Sequence, residues 1–121
     1  MEQKIPDRTQ HTMTNYTINL SSYRTPGSKV FTGRDRGQQD RLASNIDDLI
    51  EKHVKIQIVI PEDIYSINPS YLEEFLVNVV THLGRDGFFK KFDIENNGPY
   101  KIDRDLKEAV DRILRVENAL V

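Results

Sequence analysis

The run Val54-Lys55-Ile56-Gln57-Ile58-Val59-Ile60 constrains this chain more than any other segment, because every apolar position in it is β-branched. Alternation puts Val54, Ile56, Ile58 and Ile60 on one face and Lys55, Gln57 and Val59 on the other, the period of two that a strand requires. A parallel strand covered on both faces is apolar on both, so Lys55 and Gln57 predict a sheet with helices on one side only. After a polar turn, Leu72, Phe75, Leu76, Val79, Val80 and Leu83 recur at helical spacing. Ser70 with Glu73 three residues later reads as a capping box, and Gly84 suits the left-handed position that closes a helix. The segment from Val54 to Leu83 is therefore a strand-turn-helix unit, and the rest of the domain is expected to assemble around it.

Upstream, Tyr16, Ile18 and Leu20 alternate with Thr17 and Asn19 as in a half-buried strand, and Pro26-Gly27 supplies a turn. Val30 to Thr32 is a second, shorter strand candidate ending at Gly33, free to form a hairpin with the first or to lie beside it. Between Gly37 and His53, Leu42, Ile46, Leu49 and Ile50 predict an amphipathic helix. Downstream, Phe92 and Ile94 alternate with Lys91, Asp93 and Glu95 before the turn Asn96-Asn97-Gly98-Pro99. Asp103 is placed to cap a last helix with the stripe Leu106, Ala109, Val110, Ile113 and Leu114. The order β, β, α, β, α, β, α defines an α/β fold. Helices between the later strands imply parallel pairing through right-handed crossovers, while the opening pair is free to run antiparallel. The expected architecture is a mixed β-sheet with helices packed mainly on one face.

A length of 121 residues accommodates one hydrophobic core. Residues 1–15 hold only Ile5 and Met13 as larger apolar groups and read as a flexible N-terminal tail, leaving 16–121 as the domain. Seventeen basic residues against nineteen acidic ones leave a net charge of -2, which argues against nucleic acid or an anionic membrane as partner. Without cysteine, disulfides, thiolate metal sites and thiol nucleophiles are excluded. The opening segment lacks the apolar stretch of a secretory signal, so a cytoplasmic location is the expectation.

Catalysis finds little support. His11, His53 and His82 show no metal-ligand spacing, Ser70 has no histidine near it in sequence, and Glu73 and Glu74, adjacent on a helix, point roughly 100° apart. No catalytic residue, metal site or cofactor is expected.

Two stretches resemble a known family. Phe31-Thr32-Gly33-Arg34-Asp35-Arg36-Gly37 with Arg41, and Ile67-Asn68-Pro69-Ser70-Tyr71-Leu72-Glu73-Glu74-Phe75 leading to Leu83-Gly84, resemble the STAS-like domains of unknown function, relatives of the bacterial anti-sigma-factor antagonists. The resemblance covers roughly Val30 to Leu114 and implies a STAS-like sheet, a bacterial or phage origin and a regulatory role in signalling. In the antagonists the turn before the corresponding helix reads aspartate, serine, serine, glycine, and its first serine is phosphorylated by a partner kinase. Here the matching residues are Asn68, Pro69, Ser70 and Tyr71, so Pro69 stands at the phosphorylated position. Ser70 and Ser66 are the remaining phosphorylation candidates, with helix capping the plainer role for Ser70.

The functional expectation is a non-catalytic regulatory module that binds a protein partner through the loop-helix surface 62–74. Its candidate contacts are Asp63, Tyr65, Ser66, Asn68, Ser70, Tyr71 and Glu74, with Tyr65 and Tyr71 as aromatic anchors. The resemblance implies a partner such as a histidine-kinase-like ATPase. A second reading makes Gly33, Arg34, Arg36 and Gly37 a nucleotide or phosphate sensor, because paired arginines bind anions in bidentate fashion. Its plainer alternative is a helix entry whose arginines pair with Asp35, Asp40 or nearby acidic loops. A third is an inhibitory or self-associating protein of a mobile element that uses an open sheet edge. Oligomeric state is left open by the sequence.

Overall fold

The computed structural model describes residues 14–119. The expected tail falls outside these residues as far as position 13, while Thr14 and Asn15 already belong to the first strand. Strands β1 (Thr14–Asn19), β3 (His53–Ile60) and β5 (Phe92–Asn96) form one sheet in the order β1-β3-β5. The short strands β2 (Val30–Phe31) and β4 (Ser66–Ile67) pair separately. The helices are α1 (Arg34–Ser44), the single turn α2 (Ile46–Leu49), α3 (Pro69–Lys91) and α4 (Asp103–Ala119).

The protein is an α/β fold, and every pairing among its described strands is parallel. The expectation of a mixed sheet with an adjoining opening pair is corrected here, since β1 lies beside β3 and β2 lies beside β4. Both strands of each pair follow the same sense because a helix-containing crossover intervenes, and successive right-handed crossovers in one direction put the helices on one face. The one-sided sheet follows from the side chains. Ile18, Ile56, Ile58, Ile60 and Phe92 are buried on the helical face. On the other face, Thr17 sits level with Gln57 and Asp93, and Asn19 with Val59 and Glu95. That polar face is laced across the strands: Gln57 Nε2 donates to Glu95 Oε1 at 2.9 Å, and Lys55 pairs with Asp93 at 3.6 Å.

Helix α3 is the centre of the covering layer, packing on β3 and β5 and against both α1 and α4. Its stripe Leu72, Phe75, Leu76, Val79 and Val80 is buried, and Leu106, Ala109, Val110 and Ile113 of α4 complete the core. Gly84 adopts φ 78 and ψ 175 and interrupts α3, as a helix-ending glycine would, but the chain resumes helical geometry as far as Lys91 and buries Phe88. Burial of Phe88 against Phe92, with stacked rings 4.9 Å apart, accounts for the continuation. The first expected helix is split by Asn45, whose left-handed backbone at φ 59 closes α1. As a result Leu42 leaves the predicted apolar stripe and is 67% exposed.

Candidate functional site

The loop leaving β3 is held from several directions. Ile64 is buried, and its amide donates to Pro61 O at 3.3 Å. Tyr65 N donates to Lys29 O at 2.8 Å and Asn68 N to Phe31 O at 2.9 Å, extending the β2–β4 ladder at both ends. Arg24 Nη1 meets Asp63 Oδ1 at 2.7 Å, and this hydrogen bond holds the Asp63 carboxyl below its ordinary range. Gly98 closes on the loop so nearly that a Cβ there would lie 2.8 Å from Pro61 O and 3.0 Å from Ile64 O. Tyr100 Oη donates to Ile67 O at 2.8 Å and also contacts Asp105; burial above all pushes its phenol up from the ordinary value.

What this frame presents outward is the Tyr65 ring with a lysine against it. Tyr65 is 62% exposed, Val30 is 40% exposed, and Lys29 Nζ lies 5.6 Å from the centre of the Tyr65 ring. Ser66 is half-buried beside Val30 in the strand pair, and Asn68 is exposed at the helix entry. Asp63, Tyr65, Ser66 and Asn68 are thus brought to one loop. Lys29, Val30 and Arg24 belong to the same neighbourhood but carried no sequence signal beyond a short β-prone run.

At the helix entry, two expectations are corrected. The cap is Asn68, whose Oδ1 accepts from Ser70 N and from Ser70 Oγ, both at 2.8 Å, with Pro69 in the first turn. Ser70 is therefore a donor to the cap, and Glu73 reaches Arg34 at 3.4 Å and Arg112 at 3.1 Å instead of closing a capping box. Tyr71 is not a surface anchor. It is fully buried, 5.2 Å from the Phe31 ring and stacked 5.7 Å from Phe75, because the helical turn carries residue 71 onto the same inward face as Phe75. Its hydroxyl donates to Asp40 Oδ2 at 2.8 Å, and burial pushes its phenol far up. Glu74 also faces α1: its carbonyl accepts from Arg41 Nη1 at 2.6 Å, and its carboxylate lies 3.6 Å from Arg34 and 3.7 Å from Arg41.

The glycine-arginine segment opens α1. Gly33 holds φ 89 as the residue before the helix, a conformation that disfavours a side chain. Thr32, Gly33, Arg34, Asp35, Arg36 and Gln39 line an open depression of about 430 Å³. Both arginines already have partners: Arg34 meets Glu73 and Glu74, while Arg36 donates to Thr25 Oγ1 at 2.9 Å and lies 3.7 Å from Asp40. Gly37 has another purpose. A Cβ at this position would stand 2.5 Å from Tyr71 O, so its absence lets α1 approach α3 closely. The buried residues of α1 are Gly37, Asp40 and Ser44, making this a polar, small-residue contact.

Among the described residues no group of three or more His, Asp or Glu is placed to hold a metal, and no helix is long and apolar enough to cross a membrane. No protein-family model, curated protein or solved structure matches the chain.

Proposed function

We propose that this protein is a non-catalytic regulatory module, resembling STAS-like domains, that acts in the cytoplasm by binding a signalling protein through the surface around Tyr65. The observation that carries the reading is the exposed Tyr65 ring on a loop pinned by the Arg24–Asp63 pair and by two backbone hydrogen bonds to the β2 segment. An aromatic group held in place beforehand loses little freedom on binding, which is how interface hot spots gain their energy. Lys29 extends the contact beside the ring, and Val30, Ser66 and Asn68 lie along the adjoining strand pair and helix entry at its margin. With Tyr71 in the core, the surface has one aromatic anchor. Pro69 at the aligned phosphorylation position, together with Ser70 Oγ committed to Asn68, favours constitutive binding over a phosphoswitch. A histidine-kinase-like ATPase is the partner class that the resemblance suggests.

Affinity capture with wild-type protein and a Tyr65→Ala/Val30→Ser variant tests this, with melting curves recorded for both. A partner held by the wild type and lost by a folded variant is expected. Equal capture of every partner by both proteins sinks the proposal.

The anion-sensor reading rests on the depression beside Arg34 and Arg36. The carboxylates of Glu73, Glu74 and Asp40 already lie beside those arginines, so a phosphate has to compete with existing, partly exposed pairs and meets their negative charge, and the partner-binding reading is preferred.

A further inference from the structure

The two edges of the three-stranded sheet are chemically unlike. On β5, Asp93 and Glu95 are exposed on the polar face. Two such edges placed antiparallel bring carboxylates opposite one another, an arrangement that discourages pairing. The β1 edge reads Thr14-Asn15-Tyr16-Thr17-Ile18-Asn19 and holds no charge and no proline. It pairs with β3 on one side, and no described strand lies on the other. Its one irregularity falls between Thr14 and Asn15, leaving Asn15 to Asn19 in regular register. Asn15, Tyr16, Thr17 and Asn19 are exposed, Tyr16 by 41% although it projects toward the helical face. Among the described residues, no charge, proline or bulge falls between Asn15 and Asn19 to blunt this edge.

We propose that the β1 edge joins a second copy of this chain, antiparallel, about a two-fold axis at Thr17. The strand is its own complement in that register. Thr17 meets Thr17 of the second copy and Asn15 meets Asn19, so each polar position finds a side chain that both donates and accepts. On the other face Tyr16 comes opposite Ile18, an aromatic and β-branched pair of the kind that stabilises neighbouring strands. No like charges are opposed anywhere along the contact. The axis runs perpendicular to the sheet, so the polar faces of the two copies continue one another and their helices share the opposite side. Because the contact is one short strand from each copy, it is smaller than a standard interface and its occupancy depends on concentration. This surface is separate from the Tyr65 patch, so each proposal stands or falls alone.

Light scattering on the full chain over a hundredfold range of concentration tests the proposal with wild type, Thr17→Lys, Thr17→Glu and an equimolar mixture of the two variants. Residue 17 is exposed, and melting curves establish that each variant is folded. The wild-type mass is expected to rise toward twice the monomer value. Each variant alone is expected to stay monomeric, because like charges meet on the axis. The mixture is expected to recover the dimer, because lysine then meets glutamate. A wild type that remains at monomer mass throughout overturns the proposal. So does a dimer indifferent to both substitutions, or a mixture of folded variants that stays monomeric.

Discussion

Tyr71 Oη donates a 2.8 Å hydrogen bond to Asp40 Oδ2, joining α3 to α1 through two buried residues. Tyr71→Phe keeps the ring against Phe31 and Phe75 but leaves the buried carboxylate without this donor. The expected loss is about 2 kcal/mol in urea unfolding at neutral pH, the cost of depriving a charged buried group of a partner. Tyr71→Ala also empties a core position and is expected to cost about 3–5 kcal/mol. Equal stability of wild type and Tyr71→Phe would show that the bond contributes nothing net.

The same carboxylate has a pH signature. Burial is the largest influence on Asp40 and raises its pKa above the ordinary 3.8, against the opposing effects of Tyr71 and Arg36. As pH rises from 3.8 through the raised value, the unfolded chain has released a proton that the folded chain still holds. The Asp40 contribution to stability therefore falls across that window and is level above it. Asp40→Asn lacks this titration. Its stability relative to wild type is expected to improve with rising pH across the window, as measured by denaturant unfolding at a series of pH values. A difference that is flat with pH would contradict the assignment. Asp63 works in the opposite sense, since Arg24 lowers its pKa and its contribution is lost as pH falls through the lowered value.

Gly37→Ala tests the close approach of α1 to α3. In an isolated helix the change is favourable by about 1 kcal/mol. Here the new methyl would lie 2.5 Å from Tyr71 O and 2.9 Å from Glu74 Cβ, and backbone cannot turn aside as a flexible side chain can. A net destabilisation of about 1–3 kcal/mol is expected, with increased amide exchange in α1. A stabilised variant would mean that the two helices separate without cost.

Asn68 and Ser70 are distinguished by truncation. Asn68→Ala removes the acceptor that serves both Ser70 N and Ser70 Oγ and is expected to cost about 1 kcal/mol. Ser70→Ala removes only a donor to that acceptor and is expected to stay within about 0.5 kcal/mol of wild type. Thermal melting of the two variants checks the order, and a larger loss for Ser70→Ala would make Ser70 the cap.

The candidate site was partly legible in the sequence. Tyr65, Asn68 and Asp63 lie in the turn that the strand-turn-helix pattern marks, and Tyr65 is exposed as a surface role needs. The burial of Tyr71 is hidden in the sequence, because a tyrosine after a polar turn looks the same whether its ring faces solvent or core. Its place is set by helical phase relative to Phe75 and by the Asp40 acceptor on another helix. Lys29 and Val30 join the surface only through the β2–β4 pairing across more than thirty residues of chain.

The α/β class, the one-sided sheet and the central helix are encoded locally along the chain. Each of these follows from periodicity within one segment: Ile56, Ile58 and Ile60 against Lys55 and Gln57, and the stripe from Leu72 to Val80. Which strands are neighbours depends on contacts between segments remote in sequence, which set β1 beside β3 and leave an uncharged edge. A contact of the same kind holds α1, through Gly37, Asp40 and Ser44 while Leu42 stays in solvent. Hydrophobic periodicity is blind to such a contact, because its stabilisation comes from a missing Cβ that admits a neighbouring backbone and from a carboxylate that finds its donor on a different helix.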